Sequence, residues 1–214
     1  MPVVTVFEQH AEQYDRWFDE HERIYRAEVS ALQRFVSCGG FCVEVGVGTG
    51  RFAARLGIKY GVEPSRQMAR IARRRGIAVC QALGEHLPFR DAELDGVVLV
   101  TVICFVDDVS ILLHELRRVL KPEGRFIIGF IDRHSVLGQA YEARKETSTF
   151  YREARFYAAD EVTEMVRRAG FANLAFCQTL IGLDLDDPDA CKVREGHGEG
   201  AFVVLSAQKR TWRS

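Results

Sequence analysis

The stretch Val43-Glu44-Val45-Gly46-Val47-Gly48-Thr49-Gly50 constrains the fold more than any other part of the chain. β-Branched residues flank a carboxylate, and three glycines follow at alternate positions. That order reads as a buried strand, a tight turn and the start of a helix, with glycines that admit positive φ and let a ligand touch bare main chain. A plain turn between strand and helix satisfies the same glycines, so the loop alone names no ligand.

Apolar runs and helical patterns alternate downstream: strand 41–46, helix 50–56, strand 58–63, helix 65–75, then strands 77–82 and 95–101. The next helix carries Val109, Leu112, Leu113, Leu116, Val119 and Leu120 on one stripe. Asp107-Asp108 lies at its positive end and Lys121-Pro122-Glu123-Gly124 stops it. A strand at 125–131, a helical stretch from His134 to Lys145, a helix opened by Asp160 and closed by Gly170, and strands at 174–180 and 201–207 complete the pattern. The connection 181–200 is long enough for a hairpin loop, which makes the last pair antiparallel. Upstream, 5–36 reads as two helices parted near His21 and ended by Cys38-Gly39-Gly40. The expected fold is α/β: a Rossmann-like, mostly parallel seven-stranded sheet with helices on both faces and an antiparallel last strand.

Length and composition fit one domain over residues 1–214, with 47% hydrophobic residues to fill its core. A formal charge of -1 gives no electrostatic reason to expect nucleic acid. Glu8, Glu12, Asp15 and Arg16 break the pattern of a signal peptide, which predicts a cytoplasmic protein. The longest nearly apolar run, Val97 to Val106, falls far short of the ~20 residues that cross a bilayer, so no membrane is expected. Cys38, Cys42, Cys80, Cys104, Cys177 and Cys191 form no C-x-x-C pair, and reduced cysteines are expected.

Three features sharpen the loop. Arg51 stands where a dinucleotide fingerprint wants its third glycine, and Glu44 precedes the first. A pyrophosphate favours bare amides with no anion nearby, whereas Glu44 favours the cationic end of an amino acid. Glu63, in Gly61-Val62-Glu63-Pro64-Ser65, ends the next strand, where a carboxylate accepts both hydroxyls of a ribose. The same residues also serve simply to open a helix. Finally, Gln81 to Phe89 and Val100 to Phe105 bring two more strand tips to the carboxyl edge, where ligands of open α/β sheets bind.

With these residues in view, the sequence resembles the class I S-adenosylmethionine methyltransferases, specifically the type-11 group that includes ubiquinone and menaquinone biosynthesis methyltransferases. Val43 to Gly50, Val62-Glu63-Pro64-Ser65 with Met68, Glu85-His86-Leu87-Pro88-Phe89 with Asp95, and Leu120 to Arg125 carry the resemblance. It implies that Glu44, Gly46, Val47, Gly48, Thr49 and Gly50 hold the methionine part, Glu63 and Pro64 the ribose side, and Met68 the adenine face. Leu83, Gly84 and Glu85 would meet the adenine edge, and Thr101 and Val102 would line the methionine end. Many relatives have aspartate where Leu83 stands, so that adenine contact is either weaker here or supplied by Glu85 or solvent. Tyr14 either folds over the cofactor or packs as an ordinary aromatic. The implied organisation is an N-terminal helical lid (1–38), a cofactor-binding core (39–131), a substrate lid (132–158) and a closing helix with a strand pair (159–214).

The resemblance implies transfer of the sulfonium methyl to a small-molecule acceptor, leaving S-adenosylhomocysteine, by a monomer or homodimer. Holding acceptor and methyl in line supplies much of such catalysis. His134 and Tyr141 are the candidate bases, although each reads more readily as a capping or surface residue, since nothing pairs with His134 in the sequence. A non-catalytic S-adenosylmethionine-binding module and a nicotinamide oxidoreductase are the competing readings. Arg66, Arg70, Arg73, Arg74 and Arg75 read as a solvated helix face. Asp184, Asp186, Asp187 and Asp189 lack the glycine of a calcium loop, and no metal is expected. His197 falls in a glycine-rich loop.

Overall fold

The computed structural model describes residues 2–37, 39–182 and 187–210. Cys38, Asp184 and Asp186 therefore lie outside the described residues. Three helices, α1 (Pro2–Gln9), α2 (Ala11–Glu20) and α3 (Glu22–Gln33), precede the sheet. The expectation was two. The break at His21 falls as expected, with its ring stacked on Trp17 at 4.5 Å. The additional break at His10 carries no glycine or proline signal, and α1 instead docks on a distant helix (below).

The core alternates as the pattern predicts: β1 (Cys42–Val45), α4 (Arg51–Leu56), β2 (Tyr60–Val62), α5 (Arg66–Arg74), β3 (Ala78–Cys80), β4 (Leu94–Val100), α6 (Val109–Val119) and β5 (Leu120–Ile131). Then come α7 (Val136–Arg144), α8 (Ala159–Arg168), β6 (Phe171–Ile181), β7 (Arg194–Glu195) and β8 (Gly200–Lys209). The strands form one eight-stranded sheet ordered β3-β2-β1-β4-β5-β8-β6-β7. β1 to β5 are parallel, and β8 is antiparallel to both β5 and β6. The expected count of seven is corrected by β7, two residues pairing with Cys177 and Gln178, too short for a periodic signal. β5 and β6 also start earlier than expected, because each continues through an irregularity in register. Glu123 and Asn173 take positive φ near these irregularities.

Side chains alternate between two cores, as strand geometry requires. Val97, Leu99, Phe126, Ile128, Val203 and Leu205 pack with Leu112, Leu113 and Leu116 of α6 on one face. Val98, Ile127, Phe202 and Val204 pack with Leu32 of α3 and Phe52 of α4 on the other. Helix starts are fixed locally: Asp108 Oδ1 accepts the Ser110 and Ile111 amides at 2.8 and 3.2 Å, and Ser65 Oγ accepts that of Met68 at 3.2 Å. Asp108, not Asp107, is the cap of α6.

Candidate functional site

Parallel pairing brings the ends of β1, β2 and β4 to one edge of the sheet, and a cleft of about 760 Å³ opens there. Of the residues expected to bind cofactor, Tyr14, Gly46, Gly48, Glu63, Pro64, Met68, Leu83, Gly84, Glu85, Thr101 and Val102 line it. Glu44, Val47, Thr49 and Gly50 do not; Glu44 is buried on β1 and the other three within the loop.

All three loop glycines take positive φ, and at two of them a side chain would also meet neighbouring atoms. Gly46 has φ 71°, and a Cβ there would run into Val102. Gly50 has φ 81°, and its Cβ would press on Ala72 at 3.0 Å. Gly46→Ala is therefore expected to destabilise the chain by about 1–3 kcal/mol. Differential scanning calorimetry with and without S-adenosylhomocysteine should show a lower Tm and a smaller ligand-induced rise.

Glu63, 6% exposed, organises the loop as well as facing the cleft. Its Oε2 accepts the Gly48 amide at 2.9 Å and its Oε1 that of Ser65 at 2.9 Å. Burial pushes its pKa up to about 7 against those two amides, which lower it. Glu44 is buried at 1% exposure, and its Oε2 has no hydrogen-bond partner. Burial raises its pKa well above the ordinary carboxylate value, while the Ala53 amide works in the other direction. Glu85 lines the cleft beside Leu83 and Gly84, and its Oε1 accepts the Asp107 amide at 3.0 Å. Thr101 closes β4 with a φ of 54°, a conformation uncommon for a β-branched residue.

The N-terminal helices are tied to this cleft by ion pairs that the sequence did not reveal. Arg51, the residue in place of a third glycine, binds Asp15 through Nε at 3.0 Å and Asp19 through Nη1 at 2.6 Å. Arg75 binds Asp15 at 2.7 Å and the Thr49 carbonyl at 2.8 Å, so it is not part of a free solvated face. Glu8 of α1 accepts the Ser65 hydroxyl at 2.6 Å and the Gln67 amide at 3.1 Å, next to Glu63. These contacts hold Tyr14 over the loop: a Cβ on Gly48 would lie 3.8 Å from its ring.

A second cavity, about 1,320 Å³, lies beyond Tyr14 and Thr101. It shares Phe7, Tyr14, Thr101 and Phe105 with the first. α7 and the segment to Tyr151 form its outer wall, where Tyr141 and Tyr151 stack at 5.0 Å. Tyr141 lines it, but burial and the charge of Glu28 push its pKa up to about 12, which disfavours it as a base. His134 is exposed and lines neither cavity. His197 packs on Phe176 at 4.8 Å, away from both. Glu28, unremarked in the sequence, is buried on the cavity wall.

No helix among the described residues is long and apolar enough to cross a membrane, and no cluster among them could hold a metal ion. Asp187 accepts the Asp189 amide at 2.9 Å, and Asp189 pairs with Lys192 at 2.8 Å. The sheet order, the glycine turn after β1 and the acidic tip of β2 define a class I Rossmann-like nucleoside-binding fold. The comparisons make the class specific. A methyltransferase-domain family of the type-11 group matches residues 43–128. A crystal structure of a SAM-dependent methyltransferase from Thermotoga maritima, described as a possible histamine N-methyltransferase, superimposes with a TM-score of 0.92 at 45% identity, covering 96% of this chain and 99% of that one. An uncharacterised protein of Methanocaldococcus jannaschii is 48% identical over 206 residues, covering 96% of this chain and 100% of its own. The malonyl-[acyl-carrier protein] O-methyltransferase of Geobacter sulfurreducens is 29% identical over 198 residues, covering 80% of this chain and 70% of its own. The chain belongs to the S-adenosylmethionine-dependent methyltransferases. S-adenosylmethionine is its cofactor, and the cleft lined by Gly46, Gly48, Glu63 and Met68, with the Gly48 amide donated to Glu63, fits that ligand.

Proposed function

We propose that this chain transfers the methyl group of S-adenosylmethionine to a small molecule held in the aromatic cavity behind Tyr14 and Thr101. The carrying observation is that the two cavities meet at Phe7, Tyr14, Thr101 and Phe105. A methyl donor in the first thus has an acceptor space beside it. Glu63 and Pro64 would hold the ribose, Met68 the adenine face, Leu83 to Glu85 the adenine edge, and the Gly46–Gly50 turn with Thr101 and Val102 the methionine end. When bound, S-adenosylmethionine supplies an electrophilic methyl. The protein's part is to align the acceptor and exclude water.

Phe7, Tyr14, Trp17, Phe18 and Glu28 of α1 to α3, with α7, wall the acceptor space, so these helices act as lid and specificity element together. Asn-Pro-Pro-Tyr, the strand-4 ending of amide and adenine amino-group methyltransferases, is replaced here by Thr101-Val102-Ile103-Cys104, which favours a free small molecule over nucleic acid. Amine methylation is the activity suggested for the Thermotoga maritima relative, and amines are accordingly the first acceptors to offer. The test is calorimetric titration with S-adenosylhomocysteine, followed by tritiated-methyl transfer to panels of amines, alcohols, phenols and carboxylic acids. Cofactor binding together with transfer to one small-molecule class is the expected result. Binding with no transfer to any class would reduce the chain to a cofactor-binding module.

A further inference from the structure

Resting on the reading that the second cavity holds the acceptor, we propose that Glu28 selects an amine as that acceptor and takes its proton as the methyl is transferred. Glu28 lies on the buried side of α3, 5% exposed, on the wall of the aromatic cavity. Among the described residues no hydrogen-bond donor and no cation meets its carboxylate, and burial alone pushes its pKa up to about 8. Of the other buried carboxylates, Glu63 receives two backbone amides, Glu85 that of Asp107 and Asp132 that of His134, while Glu44 lines neither cavity. Arg144, the cation lining the cavity, is exposed on α7.

A buried, unpartnered carboxylate is costly, and folds keep such groups chiefly where a ligand completes them. The surroundings decide which ligand. Tyr141, Tyr151 and Phe105 form a stack beside Glu28, with Phe105 and Tyr151 at 5.8 Å and an interplanar angle of 10°. Aromatic faces attract cations and offer anions nothing. An ammonium group fits both elements: it supplies N–H donors and the opposite charge to Glu28, and it rests on the ring faces. A carboxylate or phosphate acceptor would set a second anion beside Glu28 in a buried site, and an alcohol would leave Glu28 largely in its neutral, protonated form, its pKa raised to about 8.

The same residue serves the chemistry. An ammonium nitrogen has no lone pair, so it must lose a proton before it can attack. Tyr14, Tyr141 and Tyr151 cannot take it, because burial, with the charge of Glu28 adding to it, raises all three phenols and keeps them neutral. The proton passes from the acceptor nitrogen to a carboxylate oxygen of Glu28. The freed lone pair forms the N–C bond as the S–CH3 bond breaks, its electron pair going to sulfur. Products are the N-methylammonium, S-adenosylhomocysteine and protonated Glu28, which returns its proton to solvent when they leave.

The test uses the full chain and Glu28→Gln, which keeps shape and removes charge. Butylamine, phenethylamine and aniline are each compared with the alcohol and the carboxylate of the same skeleton. Binding is read by calorimetry on S-adenosylhomocysteine-saturated protein, and transfer by tritiated methyl. The native chain should bind and methylate at least one amine tenfold or more better than its alcohol and carboxylate counterparts. Glu28→Gln should keep its S-adenosylhomocysteine affinity within about twofold, lose that preference in binding, and methylate the amine at least 100-fold more slowly. Glu28→Asp, which retains the charge, should recover the preference and part of the rate, and it replaces the glutamine variant should that one fail to fold. Preference for alcohols or carboxylates, or an amine preference that survives Glu28→Gln, overturns the assignment of Glu28 alone. Transfer to no acceptor of any class overturns the underlying reading instead.

Discussion

Glu63→Ala is expected to weaken S-adenosylhomocysteine binding by at least about tenfold and to shrink the ligand-induced rise in Tm accordingly. On the proposed ribose role, the substitution removes charge-assisted hydrogen bonds worth roughly 1.5–3 kcal/mol each, and ~1.4 kcal/mol already corresponds to tenfold in affinity. It also strips the Gly48 and Ser65 amides of their acceptor, so the loop loses its anchor in the same stroke. The pH dependence has a definite sign. Burial raises Glu63 from the ordinary 4.5 to about 7 in the folded chain, so its contribution to stability is full below about pH 4.5 and is lost as pH rises through about 7. Ribose hydroxyls donate to the ionised form, so ligand binding draws the carboxylate toward ionisation. Affinity for S-adenosylhomocysteine should therefore rise between about pH 5.5 and 8. Glu63→Gln should bind weakly with a flat profile over that window. Unchanged affinity in Glu63→Ala, measured calorimetrically at pH 8, would refute the ribose assignment.

The parts of the fold that could be read in the sequence share a physical basis. Strands β1, β4, β5 and β8 are buried on both faces, so long apolar runs such as Val97 to Val100 announce them. The long stripe of α6 is a helix by period alone. Likewise the cleft could be placed from Val43 to Gly50 and Glu63, because strand-tip residues reach one edge whenever the strands run parallel. What escaped depends on partners far along the chain. Glu28 sits among Glu22, Arg23 and Arg26, and in that company it reads as one more solvated charge. Only the packing of α3 against the sheet places it inside. Arg51 showed itself in the sequence as a missing glycine, and its ligands lie 36 and 32 residues away in α2. His134 was attractive because it follows β5, but its amide donates to Asp132 at 2.9 Å within the turn that starts α7, and the residue stays at the surface.

That long-range anchoring sets the second large expectation: Arg51→Ala should lower stability by about 2 kcal/mol, a Tm loss of roughly 4–8 °C for a chain of this size. Arg51 is 16% exposed and Asp15 18%, so the pair is screened far less than an ordinary surface pair. Burial raises Asp15, but hydrogen bonds from Arg51 and Arg75 outweigh it and hold its pKa at about 2. A carboxyl lowered on folding adds stability above its ordinary value of 3.8, and that addition is lost as pH falls through about 2. Arg51→Ala should therefore flatten the acid limb of the stability curve between about pH 4 and 2. Asp19, at 66% exposure, is the control, and Asp19→Ala should change Tm little. The effect should also reach the ligand, because Asp15 adjoins Tyr14 on α2 and a loosened α2 must be reordered over the loop before the cleft closes. S-adenosylhomocysteine affinity is expected to fall several-fold in Arg51→Ala, although Arg51 does not line the cleft. A double-mutant cycle between Arg51→Ala and Asp15→Ala, run on both Tm and affinity, separates the two contributions. A coupling of about 1–3 kcal/mol in stability is expected. Additivity within error would show that α2 is held by its aromatic contacts, Tyr14 with Phe7 at 5.5 Å and Phe18 with Phe52 at 5.6 Å, and not by the ion pair.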